Sequence, residues 1–148
     1  MTSSLSGSAA EALSTALAAE HAAIFGYGAV GARLDAAGQT AARQAEAAHR
    51  SRRDTVVVRI AAANATPPPA APAYELPFPV TDRPSALKLA IALEEGAAHA
   101  WRQALAATSG EDRKLAVEAL MDCAVRATRW RTTAGISPAT VPFPGTPA

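Results

Sequence analysis

Cysteine is nearly absent. The 148-residue chain carries one, which excludes an internal disulfide framework and any zinc or iron–sulfur site built from several thiolates. Aromatic residues are scarce at 5%, too few to line a deep aromatic cofactor cage. Neither positive nor negative charge is in marked excess. The formal net charge is +1, so nothing draws the chain strongly to nucleic acid or to an anionic membrane. No apolar run reaches the roughly 18 residues of a membrane-spanning helix. Neither a glycine-rich phosphate loop nor a Ser-His-Asp arrangement is evident. Residues 1–10 contain no Lys or Arg and no continuous apolar stretch, which reads as a cytoplasmic start rather than a secretory signal.

What remains is rich in alanine, the strongest helix former. It accounts for 40 residues. Hydrophobic residues make up 49% and charged residues 18%, a globular composition for which 148 residues form one domain. Arginine far exceeds lysine, a bias expected of a GC-rich bacterial genome.

Apolar periodicity predicts four helices. The first runs from about Ser8 to Leu34, with Leu13, Leu17, Glu20, Ile24, Tyr27, Gly31 and Leu34 on one face. Ala37-Gly38-Gln39-Thr40 reads as a break with an N-cap. The second runs from about Thr40 to Ala63 and turns Ala42, Ala45, His49, Val56 and Ile60 to one side, with Arg52 alongside. The third follows Asp82 as N-cap and Pro84 in the first turn. It continues to about Ala107 and presents Leu87, Ala90, Ile91, Glu94, Ala98, Trp101 and Leu105. The fourth, about Glu111 to Thr133, presents Ala116, Ala119, Leu120, Cys123, Ala127 and Trp130, and Gly135 ends it.

Between the second and third helices, residues 64–84 hold seven of the eleven prolines. Extended at ~3.1 Å per residue this stretch reaches about 60 Å, whereas a helix of this size is only about 36 Å long. It can therefore return the chain to the opposite end of a bundle. Short, long and short connections predict an all-α four-helix bundle of ferritin-like up-down-down-up topology, which has one long crossover. A simple up-down-up-down bundle is the alternative. Residues 136–148 form a tail in which Val141-Pro142-Phe143 is expected to pack and the last residues to fray.

Three ionisable groups occupy stripe centres that should hold leucine: Glu20, His49 and Glu94. Unpaired buried charge is costly, so they must meet a partner, a metal or water. Ferritin-like di-metal sites use one Glu from each of two helices and a Glu-x-x-His pair from each of the other two. Glu20, Glu94 and Glu46-x-x-His49 supply part of that set, which suits iron or manganese. The fourth helix breaks the pattern. It has no histidine, and its inward polar residue is Arg126, flanked by Asp122. The competing expectation is a metal-free network in which Arg126, Arg52 or Arg53 neutralises Glu20 and Glu94, with His49 as a further donor. Tyr27 is expected either to hydrogen-bond Glu20 or to pack with its hydroxyl satisfied elsewhere, Glu95 to pair with His99, His21 to sit in solvent or at an interface, and Cys123 to be a buried, inert thiol.

The chain resembles an actinobacterial ferritin-like family of unknown function. The resemblance rests on Ala19-Glu20-His21-Ala22-Ala23-Ile24-Phe25-Gly26-Tyr27-Gly28, Ala48-His49-Arg50-Ser51-Arg52-Arg53-Asp54 and Ala100-Trp101-Arg102. Phe143-Pro144-Gly145 adds to it, and Tyr74-Glu75-Leu76-Pro77-Phe78-Pro79 is its most specific element. It implies a compact helical bundle, a homodimer and no established activity. The leading expectation is thus a non-catalytic bundle acting by self-association or partner binding, without cofactor, nucleic acid or membrane. One rival is an iron or manganese oxidoreductase or metal-handling protein using Glu20, Glu46, His49 and Glu94. Another is a small-molecule site under the crossover.

Overall fold

A computed structural model describes residues 2–147, with side chains from Gly7 onward. Met1 and Ala148 lie outside the described residues, as do the side chains of the first six. The expectations of a cytoplasmic start and a frayed end fall partly or wholly there. The described chain is all-helical: α1 Thr2–Gly31, α2 Ala36–Ala62, α3 Arg83–Ala107 and α4 Gly110–Thr133.

Local chemistry fixes the helix boundaries. Asp82 accepts a hydrogen bond from the Ser85 amide at 2.9 Å while the Ser85 hydroxyl accepts from the Asp82 amide at 3.1 Å. This reciprocal box starts α3. The expected break at residues 37–40 is instead the first turn of α2. Asp35 is the cap there, accepting from the Gly38 amide at 2.8 Å. Gly38 fits because a β-carbon would meet the Leu34 side chain at 2.7 Å, so the chain can turn tightly out of α1. Gly135, at φ +73°, closes α4 while the Ile136 amide donates to the Arg131 carbonyl at 2.9 Å, the αL stop that favours glycine.

The pairing of side chains gives the helix directions. Glu20 meets Trp101 while Tyr27 meets Glu94, so α1 and α3 are antiparallel. Glu20 meets His49 while Gly31 faces Ala42, so α1 and α2 are antiparallel. Glu94 meets Arg126 while Ala98 packs with Cys123, which makes α3 and α4 antiparallel. Arg52 meets Asp122 while Arg59 reaches Asp112 at 2.7 Å, which does the same for α2 and α4. α2 and α3 therefore run parallel. The stretch joining them starts with Ala65 packed beside the Leu13–Ile60 end. It passes over His21, whose Nε2 donates to the Pro68 carbonyl at 3.1 Å, and sets Tyr74 against Phe25 with ring centres 5.5 Å apart. Leu76, Phe78 and Val80 then pack at the other end. His21 is thus covered by this stretch, only 8% exposed, rather than solvated.

Two apolar clusters fill the bundle. One gathers Leu13, Leu17, Val56, Ile60 and Trp101. The other gathers Tyr27, Val30, Leu87, Leu89 and Trp130. Buried alanines on every helix, among them Ala16, Ala45, Ala90 and Ala119, let the backbones approach closely.

The tail folds back along the α3–α4 groove, but not through Val141-Pro142-Phe143 as expected. Phe143 is 73% exposed. Backbone carbonyls dock it instead: Arg131 donates to Ala139 at 3.3 Å, Arg102 to Pro144 at 3.2 Å and His99 Nδ1 to Gly145 at 2.9 Å. Gly145 has φ +84°, and a β-carbon there would meet the Ala98 carbonyl oxygen at 2.7 Å. Both facts demand glycine. Gly145→Ala is therefore expected to detach the tail while leaving the bundle folded. Limited proteolysis would read this as faster cleavage within residues 136–147 with the helices left intact.

Candidate functional site: a buried ionic layer

Between the two apolar clusters lies a layer of charge. Glu20, His49 and Glu94 are all fully buried. His49 sits between the carboxylates: Nδ1 donates to Glu20 Oε2 at 2.5 Å and Nε2 to Glu94 Oε1 at 3.0 Å. Both ring nitrogens facing carboxylate oxygens define an imidazolium. Burial opposes its charge, yet the hydrogen bonds to Glu20 and Glu94 raise its pKa to about 9.

Each carboxylate has further donors. Glu20 Oε1 accepts from Trp101 Nε1 at 2.7 Å and from Arg52 at 3.2 Å. Burial pushes the Glu20 carboxyl up, but His49, Arg52 and Trp101 together hold it below its ordinary value. Glu94 Oε1 accepts from the Tyr27 hydroxyl at 2.5 Å, which in turn accepts from Trp130 Nε1 at 2.9 Å. Glu94 Oε2 faces Arg126 at 3.4 Å. Asp122 closes the ring, accepting from Arg52 and, through two bonds of 2.9 Å, from Arg126. Burial raises Asp122, and the two guanidiniums bring it below its ordinary value. Three anions, Glu20, Glu94 and Asp122, thus face three cations, His49, Arg52 and Arg126. Among the described residues no buried side-chain nitrogen or oxygen lacks a partner.

The structure brings Glu20, His49, Arg52, Glu94 and Arg126 together. Glu46 is not with them. It lies toward solvent and pairs with Arg50 at 2.7 Å. Arg53 likewise pairs with Asp54 at 2.9 Å, away from the layer. Tyr27 serves Glu94 rather than Glu20, because the antiparallel register of α1 and α3 crosses the pairs. Each carboxylate meets the aromatic donor of the other helix. Glu95 pairs with Arg131, and His99 with the tail, rather than with each other. Cys123 is fully buried with Arg52 at 3.6 Å from Sγ, and burial, reinforced by Glu94, pushes its thiol well up.

Trp101, Trp130 and the bridging role of Asp122 are the contributions that helix-by-helix reading misses. One signal would have exposed much of it. Shifting the sequence by 74 residues, half its length, superposes Glu20 on Glu94, Tyr27 on Trp101, His49 on Cys123 and Arg52 on Arg126. Leu13, Leu17, Ala23, Ala42, Ala45 and Val56 fall on Leu87, Ile91, Ala97, Ala116, Ala119 and Trp130, all buried. The bundle is two equivalent helix hairpins, and the layer is their shared seam.

An ionic seam inside an alanine-rich four-helix bundle defines the class of protein. The chain belongs to the family described as a domain of unknown function, DUF4439, whose model matches residues 12–148. It is also similar to a solved structure, a conserved hypothetical protein, rv2844, from Mycobacterium tuberculosis. That match has 40% identity and a TM-score of 0.83, covering 86% of this chain and 97% of that one. No curated protein matches. No helix of the described residues is long and apolar enough to cross a membrane.

The layer makes stability depend on pH. His49 has a raised pKa in the folded chain, so its contribution is complete below its ordinary value of 6.5 and is lost as pH rises through about 9. Glu20 and Asp122 have lowered values, so theirs is present above the ordinary carboxylate range and is lost as pH falls through the folded values. Urea unfolding is expected to show stability falling by on the order of 3 kcal/mol between pH 6.5 and 9.5. In His49→Gln that upper limb should be absent.

Proposed function

We propose that the protein is a non-catalytic, ferritin-like helical bundle that acts by association, in the first place with a second copy of itself. One observation carries the non-catalytic reading: every polar atom of Glu20, His49 and Glu94 that could take a ligand already has a partner of this chain. An iron or manganese pair fits these residues poorly. Glu46 points away, the fourth helix offers Cys123 where a second histidine would be needed, and two guanidiniums hold the carboxylate oxygens a metal would take. The layer instead serves to set the register of four helices whose alanine surfaces specify it weakly, a use attested for buried polar groups.

Support for association comes from α4. Val117, Met121 and Val125 are 40%, 62% and 50% exposed and recur every fourth residue, an unpartnered aliphatic stripe. Sedimentation velocity is expected to show a dimer that Met121→Glu converts to monomer. A wild-type monomer at all concentrations would remove the self-association reading.

A second reading rests on His49, Glu94 and Cys123, whose potential ligand atoms lie within 4.8 Å of one another. That set suits a single soft ion such as zinc rather than an iron pair. Elemental analysis of untagged protein, purified without chelators from cells supplemented with iron, manganese and zinc, separates the two. The expected outcome is no stoichiometric metal, together with a lowered Tm for Glu20→Ala that chelator does not alter. Stoichiometric metal lost on Cys123→Ala would favour the second reading.

A further inference from the structure

An apolar cleft lies between α3, α4 and the returning tail, away from the 64–84 stretch, with a volume of about 450 Å³, within the ~300–1,000 Å³ of small-molecule sites. Its floor is Ala98, Ala124 and Ala127, small residues that leave a trough between the helices, and Val125, Val141 and Pro144 wall it.

The mouth carries a charge pattern that selects a ligand. Arg131 is 95% buried there, being only 5% exposed. It donates to the Ala139 carbonyl and to Glu95, whose side chain is 56% exposed. Arg129 lines the same cleft, as does Glu94, whose oxygens are already held by Tyr27, His49 and Arg126. A buried guanidinium must keep an acceptor, whereas a half-exposed carboxylate can turn into water at little cost. The exchangeable partner is therefore the anion. We propose that this cleft binds a small amphipathic carboxylate of fatty-acid type. Its carboxylate replaces Glu95 on Arg131 as a two-pronged acceptor, and its hydrocarbon chain lies on the alanine floor beneath the tail. The site borders the ionic layer at Glu94 and shares Val125 with the exposed α4 stripe, and the tail held by Gly145 is its outer wall.

Isothermal titration with dodecanoate and, separately, dodecylamine, both below their micelle concentrations, tests this. Dodecanoate is expected to bind one per chain, and the amine at least about tenfold more weakly because it meets Arg131 and Arg129. Glu95→Gln removes the internal competitor and should tighten dodecanoate about threefold or more. Thr128→Trp, which fills the cleft from its half-buried edge, should abolish binding, and circular dichroism would establish that this variant is folded. Gly145→Ala should weaken binding with no loss of helix. Absence of saturable dodecanoate binding would overturn the proposal. So would equal binding of the amine, or binding unaffected by both Thr128→Trp and Gly145→Ala.

Discussion

Glu20 and Glu94 are held without exposure in the middle of the bundle, and all four helices contribute to keeping them there. α1 and α3 bring the carboxylates and two of the donors, Tyr27 and Trp101. α2 brings His49 and Arg52, and α4 brings Asp122, Arg126 and Trp130. Removing water from two carboxylates costs several kcal/mol each unless opposite charge and hydrogen bonds replace it. The observed arrangement of these helices supplies both. A slip of one turn would break these pairs: in α4, for example, Asp122 or Trp130 would replace Arg126 opposite Glu94. Alanine-lined interfaces slide easily, having few large knobs to lock them, so the ionic layer is the constraint on which their alignment depends.

The same layer explains why metal chemistry is suggested by the sequence and poorly served by the structure. Carboxylates and an imidazole at facing positions are a ligand set only while their lone pairs are free. Here two arginines stand where cations would be bound. A guanidinium is a permanent charge that neither exchanges nor deprotonates, and it fits a carboxylate edge as a metal does. The charge balance that would recruit an ion is closed within the chain.

Helical periodicity alone found Glu20, His49 and Glu94, because a charged residue at the centre of an apolar stripe is visible without partners. It also found Arg126 and Arg52 as the cations facing them. Glu46 was misplaced because residues three apart differ by about 60° around a helix, enough to carry it to the surface beside Arg50. Which carboxylate Tyr27 meets depends on the register of α1 against α3, which no single helix encodes; the structure gives Glu94 rather than Glu20. Residues 37–40 do not break the chain, because Asp35, three residues before Gly38, already supplies the cap. The cleft was out of reach for a different reason. It is a space left by alanines and roofed by a tail that docks through backbone carbonyls, and neither leaves a pattern in side-chain type.

The two hairpins related by the 74-residue shift are not electrically alike. In the first, Glu20 is outnumbered by protonated His49 and Arg52. In the second, Glu94 and Asp122 outnumber Arg126. Where the shift replaces His49 by Cys123, it exchanges a cation for a neutral thiol. Each half therefore carries an unbalanced core charge of opposite sign, and balance is reached only when they meet. The halves stand toward each other as complementary partners on one leash, and neither could dimerise with its own kind without burying like charges. A hairpin with an unbalanced core charge lacks the capacity to be its own mate, which is one physical reason for both to sit on a single chain.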